Sequence, residues 1–252
     1  MRAADNQPPA KESEAKLIEV LRTGSSPDKA IACKKLAIYG SKDAVPELAP
    51  LLADEELASW ARTALEAIPG PAADEALRKA TDSLKGRLLV GTINSIGVRR
   101  DAEAVDRLNG RLADADQDVA AAAAVALGRI GNSTATKALR QSLPTSAGPV
   151  RNAVAEGCIL CAERLMNEGK SSEGGEIYDD VRKADVPKQK KLEATRGAIL
   201  ARKAGGIPLL VEQLRSQDRA FLNIGLATAR ELSGGEVGEA IAGELSKTEP
   251  ER

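Results

Sequence analysis

Apolar residues recur along this chain with the three- and four-residue spacing of amphipathic helices. One such face, within 117–130, consists of Val119, Ala123, Ala126, Leu127 and Ile130. The same face appears earlier, within 56–68, at Leu57, Ala61, Ala64, Leu65 and Ile68. A shorter stripe precedes each of them, at Val45, Leu48 and Leu52 and again at Val105, Leu108 and Leu112. The pattern therefore predicts pairs of helices, each of which buries one apolar side.

Three stretches repeat this arrangement, at residues 44–68, 104–130 and 207–232. Each consists of an amphipathic stretch, an Asp-containing break and a second amphipathic stretch, with a glycine shortly afterwards. An internal period of this kind is typical of a solenoid, in which each repeat buries its apolar face against its neighbours. The sequence predicts an all-α protein: an α-α superhelix (solenoid) of about seven helix pairs with a C-terminal capping helix.

The predicted helices follow from the periodicity and from the turn residues between them. The pairs are 12–22 with 27–38, 42–53 with 56–68, 71–84 with 87–96, 101–113 with 117–130, 133–142 with 149–166, 172–183 with 187–203, and 206–216 with 219–232. A polar helix at 235–247 completes the stack as its cap. We expect a disordered tail at 1–9, a single solenoid domain at 10–247 and a frayed end at 248–252.

Glycines after the apolar stretches are expected to end helices in a left-handed conformation. These are Gly40, Gly70, Gly97, Gly131, Gly169, Gly205 and Gly234. The segment 169–187 is the least regular, because Gly174-Gly175 falls where a helix should start. An irregular or tetratricopeptide-like repeat is expected there.

Charge and composition narrow the range of partners. Lys and Arg number 36 against 37 Asp and Glu, and the signs are mixed along the whole chain. We therefore expect no nucleic-acid partner, which would favour a basic stripe. No membrane insertion is expected either, because the uncharged run 88–98 is about half the length of a membrane span. The first residues, MRAADNQPPAKESE, resemble a mature end left after a leader is removed, so the compartment can be cytoplasmic or exported.

The chain contains no histidine, which restricts the chemistry it can support. Imidazole acid–base catalysis, His-activated nucleophiles and imidazole metal sites all need this residue. No other residue set indicates a catalytic, cofactor or metal site. We therefore predict neither a cofactor nor a small-molecule substrate.

Cys158 and Cys161 have the C-x-x-C spacing of redox and metal sites. Both lie in a predicted helix, and Cys158 aligns with the apolar Leu127. No second cysteine pair completes a zinc site, and Ala162 follows where covalent haem attachment requires His. Core packing is the favoured interpretation.

One concentration of basic residues surrounds the predicted helix 187–203. It consists of Lys183, Lys188, Lys190, Lys191, Arg196, Arg202 and Lys203. It can contact phosphate or an acidic protein, or it can be a solvated helix face. Because aromatic residues are absent from it and Asp185 and Glu193 dilute it, the solvated face is favoured.

A family resemblance rests on the run L-x-D…V-x-x-A-A-x-A-L-G-x-I-G. It stands here at Leu112, Asp114, Val119, Ala122, Ala123, Ala126, Leu127, Gly128, Ile130 and Gly131. This run resembles a HEAT repeat of the phycobilin-lyase-like variety, and the resemblance extends over about 25–235. It implies that the second helices line a concave surface suited to an extended segment of another protein.

A narrower resemblance concerns residues 33–80. They are similar to the solenoid segment of large exported bacterial proteins, where such arrays stand beside keto-disaccharide hydrolase or haem-binding modules. This resemblance implies a spacer or docking module.

Two functional hypotheses follow. The first is a non-catalytic scaffold that binds another protein or a neighbouring domain along its second helices. The alternative is an accessory arm, lyase-like or associated with a carbohydrate enzyme, whose catalytic module lies outside this chain. The candidate partner-binding residues are Lys35, Arg62, Glu66, Arg99, Arg129, Glu156, Arg196 and Arg230. The recurrent arginine indicates a partner with acidic groups, whereas for any single one of these residues the solubilisation of an exposed helix face is the favoured interpretation.

Overall fold

The computed structural model describes residues 11–232 and 234–245, and none of these residues lies in a β-strand. The chain divides into two compact units, residues 1–126 and 127–252. The tail predicted at 1–9, the frayed end at 248–252 and the last residues of the capping helix lie outside the described residues.

The first unit is built from short helices joined by tight turns. They are α1 Lys11–Thr23, α2 Ser26–Tyr39, α3 Val45–Leu48, α4 Ala58–Ala67, α5 Pro71–Ala80, α6 Gly86–Arg99 and α7 Val105–Arg111. The helix α8, Gln117–Ile130, contains the division between the units. Helix α2 packs against α1 and α4, and α6 packs against α4 and α5. The second helices of successive pairs therefore lie side by side.

The second unit continues with longer helices. They are α9 Ser133–Ser142, α10 Gly148–Asn167, α11 Ser171–Lys183, α12 Lys188–Arg202, α13 Ile207–Leu214, α14 Arg219–Ala229 and α15 Gly235–Leu245. Helix α11 packs between α10 and α12, while α14 packs against α12 and α13. The predicted bounds of α8 and α9 match the structure at both ends.

The predicted apolar stripes form the core, which confirms the all-α repeat fold. Every stripe residue of the two repeats at 45–68 and 105–130 is buried. Leu48, Leu65, Leu108 and Leu127 are at most 1% exposed. Complete burial of a leucine side chain contributes about 1.5–3 kcal/mol relative to its exposure. These seams therefore hold neighbouring pairs together.

The first helices of several pairs are less regular than predicted. The expected helix 42–53 is divided into a 3-10 turn Lys42–Ala44, the short helix α3 and a second 3-10 turn Ala49–Ala53. Pro50 accounts for the second break, because it has no N–H and its ring clashes with the carbonyl one turn before it. The 3-10 turns Ala102–Ala104 and Lys203–Gly206 likewise precede α7 and α13.

Positive φ angles confirm the glycine prediction at Gly131 and Gly169, which end α8 and α10. Gly70 and Gly234 also have positive φ, but Gly70 stands at the N-terminal cap of α5 and Gly234 directly precedes α15. The prediction is wrong for Gly40, which is extended at φ −69°, for Gly97, which lies inside α6, and for Gly205, which lies in a 3-10 turn. At the ends of α6 and α12 the residues with positive φ are Arg100 and Lys203.

The segment 169–187, where an irregular or tetratricopeptide-like repeat is predicted, contains one continuous helix, α11. Gly174 and Gly175 are buried within it. A Cβ on Gly174 would lie 3.0 Å from the carbonyl oxygen of Ala162, and one on Gly175 would lie 3.4 Å from Cβ of Ala201. Gly174 therefore lets α11 approach α10 closely, whereas a Cβ at Gly175 would make an ordinary van der Waals contact with α12.

Candidate functional site

The eight residues predicted to face a partner lie on second helices or at their ends. In residues 1–126 they are Lys35 on α2, Arg62 and Glu66 on α4, and Arg99 on α6. In residues 127–252 they are Arg129 on α8, Glu156 on α10, Arg196 on α12 and Arg230 at the end of α14. Their environments differ, and the differences decide what each side chain can do.

Arg99 is engaged within its own unit, with 8% of its side chain exposed. Its guanidinium donates to the carbonyl oxygens of Leu65 at 2.7 Å, Ile68 at 2.6 Å and Gly70 at 3.0 Å. It also forms an ion pair with Asp74. The side chain therefore closes the end of the preceding second helix and has little surface left for a partner.

Three more candidates have intramolecular partners. The carboxylate of Glu66 accepts a hydrogen bond from Ser95 Oγ at 2.6 Å, and Glu156 forms an ion pair with Lys190. Arg196 donates to Glu231, with 2.8 Å between Nε and Oε1. A partner that binds these groups must compete with contacts between neighbouring repeats.

The side chains of the remaining four candidates form no hydrogen bond or ion pair with another described residue. Lys35, Arg129 and Arg230 are exposed to solvent, whereas Arg62 is half-buried. Burial lowers the pKa of the Arg62 guanidinium, and the nearby Glu66 carboxylate opposes that shift. Arg62 is thus a partly desolvated cation without a hydrogen-bond acceptor.

Arg62 extends from α4 onto α6 at Gly91. A Cβ built on Gly91 would lie 2.5 Å from Cζ of Arg62 and 2.7 Å from its Nη1. The guanidinium therefore occupies the space that a side chain at this position would fill. Sequence reasoning placed Arg62 on the surface but missed this contact, for which the only signal was a glycine inside a predicted helix.

A groove of about 490 Å³ lies between α6 and the first turns of α8, and Val90, the residue before Gly91, is part of its lining. Its apolar lining comes from Val90 on α6 and from Ala121, Ala122 and Val125 on α8. Polar side chains border it, namely Arg87, Asn94, Asp116 and Asp118. The groove exists because alanines stand where larger side chains would close the gap between the helices.

Exposed apolar residues share one location within the described residues. The large hydrophobic side chains that are exposed are Ile31, Ile38 and Tyr39 on α2, Trp60 on α4, Val98 on α6 and Leu226 on α14. All of them lie on second helices, and none lies on a first helix. Within the described residues, the second helices therefore carry the large hydrophobic side chains that are exposed to solvent.

A larger groove of about 1120 Å³ lies between α9 and α11. Ion pairs between its own lining residues neutralise much of its charge. Arg140 pairs with Asp180 at 2.6 Å, and Arg151 pairs with Asp185 at 2.9 Å. Its ion pairs hold neighbouring repeats together.

The three cysteines are buried and reduced. Burial raises the pKa of the Cys158 and Cys161 thiols, and it raises that of Cys33 to about 11. A thiol at neutral pH is a poor nucleophile and a poor metal ligand. Cys158 and Cys161 thus pack as small core residues, as the sequence favoured. Within the described residues, no three His, Cys, Asp or Glu side chains lie close enough together to hold a metal ion.

The basic concentration around α12 is mostly paired. Lys188 forms an ion pair with Asp218 at 2.5 Å, Lys190 pairs with Glu156, and Arg202 pairs with Asp179 at 2.5 Å. These carboxylates belong to other helices, so the basic residues join neighbouring elements. The basic residues around α12 therefore do more than solvate a helix face, because they also form ion pairs with neighbouring elements.

Comparison with known proteins identifies the repeat type. Residues 87–158 match the family model of HEAT repeats. The fold of a chain in the structure of Kap95p with RanGDP is similar, with a TM-score of 0.55 and 13% identity, over 97% of this chain and 36% of that one. An engineered protein gives 21% identity and a TM-score of 0.47, over 92% of this chain and 71% of its own.

The complex of CpcE and CpcF of phycocyanin lyase from Nostoc sp. PCC7120 gives 19% identity and a TM-score of 0.39, over 96% of this chain and 84% of that one. Comparison with curated proteins gives no match. None of the helices in the described residues is long and apolar enough to cross a membrane.

Proposed function

Starting from a HEAT-repeat solenoid, we propose that this chain is a non-catalytic docking module. It binds another protein, or a neighbouring domain of the same polypeptide, along its second helices. The observation that carries this proposal is the location of the exposed apolar side chains, all on second helices within the described residues. Ile38 on α2, Trp60 on α4 and Val98 on α6 lie on second helices that pack side by side, and exposed apolar surface gathered in this way marks interaction sites in soluble proteins.

The charged residues of the same helices indicate the chemistry of the partner. Lys35, Arg62, Arg129 and Arg230 are cations without an acceptor among the described residues. A partner that combines apolar side chains with carboxylates complements this surface. Arg99 has no part in the proposed surface, because its guanidinium is already engaged with the end of α4.

Site-specific photo-crosslinking in native extract tests the proposal. A benzophenone amino acid replaces Ile38, Trp60 or Val98 on the second helices, and Glu75 or Asn109 on the exposed faces of α5 and α7 serves as the matched control. We expect one protein adduct of the same mass from the three second-helix positions and none from the controls. Charge substitution at Ile38 and Val98 together should abolish the adduct while the melting temperature stays unchanged.

Two results would contradict the proposal. Equal crosslinking from first and second helices would show that the apolar surface is not a preferred site. Stable uptake of a pigment or a sugar by the isolated chain, without a protein adduct, would support the accessory-arm alternative.

A further inference from the structure

We propose that α4, α6 and α8 form a binding site for an extended peptide segment of the partner. The segment places a carboxylate on Arg62 and an apolar side chain in the groove between α6 and α8. This inference rests on the proposed function and adds the class of segment that is bound. All the residues that form this site belong to the first unit.

The first step is the missing acceptor of Arg62. The other half-buried arginines described in this unit all donate to protein oxygens: Arg78 to Asp101, Arg99 to the end of α4, and Arg111 to Asp114 and the carbonyl of Thr81. Arg62 alone among them has no hydrogen bond or ion pair to a described residue. A partly buried charge without a partner is costly, so the side chain is suited to an external acceptor.

The second step is the position of the guanidinium. Glycine inside a helix is unfavourable relative to alanine, yet Gly91 stands within the fourteen residues of α6. The Arg62 guanidinium fills the space above it. Gly91 therefore lets a side chain of α4 reach across to α6 and present its donors beside the groove.

The third step is the groove itself. Val90 directly precedes Gly91 in the sequence. It lines the groove together with Ala121 and Val125 of α8. The volume of about 490 Å³ accommodates one leucine- or phenylalanine-sized side chain with its backbone. Asn94 at the border can both donate to and accept from a peptide main chain.

The spacing of the two subsites sets the register of the segment. Neighbouring packed helices lie about 8–10 Å apart. An extended chain advances about 3.3 Å per residue. The Arg62 guanidinium lies over α6 and the groove lies between α6 and α8, so the two subsites are separated by less than one interhelical spacing. A carboxylate at Arg62 and an apolar side chain in the groove are therefore about one to three positions apart in the bound segment.

The charges nearby favour a single carboxylate over a nucleic-acid backbone. Glu66 lies one turn after Arg62 on α4, and Asp116 and Asp118 border the groove. These groups would repel a run of phosphates. A segment with a single carboxylate at Arg62 and a nearby apolar residue avoids this repulsion.

Selection from a random dodecapeptide library tests the site on the intact chain. Parallel selections use the wild type, Arg62→Gln, Ala121→Leu and, as a matched control, Arg100→Gln, which changes an exposed arginine next to the end of α6. The wild-type pool should be enriched several-fold in Asp or Glu about one to three positions from Leu, Ile, Val, Met or Phe. Arg62→Gln should remove the acidic preference and retain the apolar one, and Ala121→Leu, which fills the groove without adding a charge, should do the reverse.

Affinities of the best wild-type peptide give the second readout. Arg62→Gln should weaken the binding of this peptide about tenfold. Gly91→Ala should weaken binding by displacing the guanidinium, and Arg100→Gln should leave the affinity unchanged. Arg62→Gln should not lower the melting temperature, because no described side-chain hydrogen bond is lost and a partly buried, unpaired charge is removed.

Several outcomes would overturn the inference. One is a wild-type pool without the acidic preference, or with the same preference on Arg62→Gln. Another is an Arg62-dependent affinity for a single-stranded oligonucleotide above that for peptides. The crosslinking experiment decides the proposed function independently of these selections, because a protein adduct at Ile38 or Val98 does not require the Arg62 site.

Discussion

Arg99 on α6 closes the end of α4 at Ile68, whose carbonyl oxygen lies 2.6 Å from Nη1 of the arginine. The last carbonyls of a helix have no partner within it, and a cation is favoured there by the helix dipole. The same guanidinium reaches the carbonyl oxygen of Leu65 at 2.7 Å. Two neighbouring second helices are thus joined by hydrogen bonds as well as by their apolar seam.

Replacing Arg99 by glutamine should destabilise the first unit. The carbonyls at the end of α4 and the carboxylate of Asp74 would lose their donor in a site where 8% of the arginine side chain is exposed. We expect a loss of about 2–4 kcal/mol in the free energy of unfolding, measured by urea denaturation.

Arg87→Gln is the control for this substitution. Arg87 pairs with Glu55, but the two side chains are 67% and 76% exposed. Ion pairs of this kind contribute about 0–1 kcal/mol. Equal losses for the two variants would show that the contacts of Arg99 do not stabilise the fold.

Gly128 and Gly157 mark a close approach of α8 and α10 within the second unit. A Cβ on Gly128 would lie 2.5 Å from Cα of Gly157 and 2.8 Å from its carbonyl oxygen. Because the obstacle is backbone, no side chain can move aside. Gly128→Ala should therefore cost about 1–3 kcal/mol, seen as a lower midpoint of thermal or urea unfolding.

Gly110→Ala is the matched control. Gly110 also lies inside a helix, but a Cβ at this position would meet no atom of another residue within 4 Å beyond its chain neighbours and its own helix backbone. Alanine there should stabilise the protein by about 0.5–1 kcal/mol through its higher helix propensity. If both variants changed stability in the same direction, helix propensity rather than the approach of α8 and α10 would explain the result.

The helices and their buried faces could be predicted because each depends on residues close together in the sequence. Leu127 and Ile130 belong to one apolar stripe, and that stripe alone places α8 in the core. The break at Pro50 was missed, although its missing N–H is also a local property. The local sequence pattern was therefore sufficient to predict the fold, but it was less reliable for predicting where a helix is interrupted.

The environment of each charged residue could not be predicted in this way. Arg99 and Arg129 are the same residue type near the ends of two second helices, yet Arg99 is engaged by the end of α4 and Arg129 is exposed. The contact of Arg62 with Gly91 likewise joins residues from different repeats. Such contacts depend on how neighbouring helices end and approach, which periodicity does not encode.

The cysteines should be unreactive in the folded protein. Cys33 and Cys161 are 0% exposed and Cys158 is 1% exposed, and burial raises the pKa of all three thiols. We expect no prompt reaction with a disulfide reagent at pH 8 and three reactive thiols in guanidinium chloride. Fast labelling of Cys158 or Cys161 under native conditions would instead favour a redox or metal-binding role for the C-x-x-C pair.

Glu231 should titrate below the usual range because of Arg196. The guanidinium donates to both carboxylate oxygens, with Nε 2.8 Å from Oε1, and this hydrogen bonding lowers the pKa of Glu231. The folded protein therefore binds fewer protons at this group than the unfolded chain does. The stabilisation is fully present above the unfolded pKa of about 4.3 and is lost as the pH falls through the folded value.

Arg196→Gln should raise the pKa of Glu231 towards its ordinary value and remove this part of the acid dependence of stability. NMR titration of the Glu231 carboxyl measures the first effect, and urea denaturation between pH 3 and 7 measures the second. Lys191→Gln, on the same helix, removes one positive charge without touching the pair and should leave the titration unchanged. A Glu231 pKa that is equal in the wild type and Arg196→Gln would show that the pair does not persist in solution, and Arg196 would then be free to meet an acidic partner.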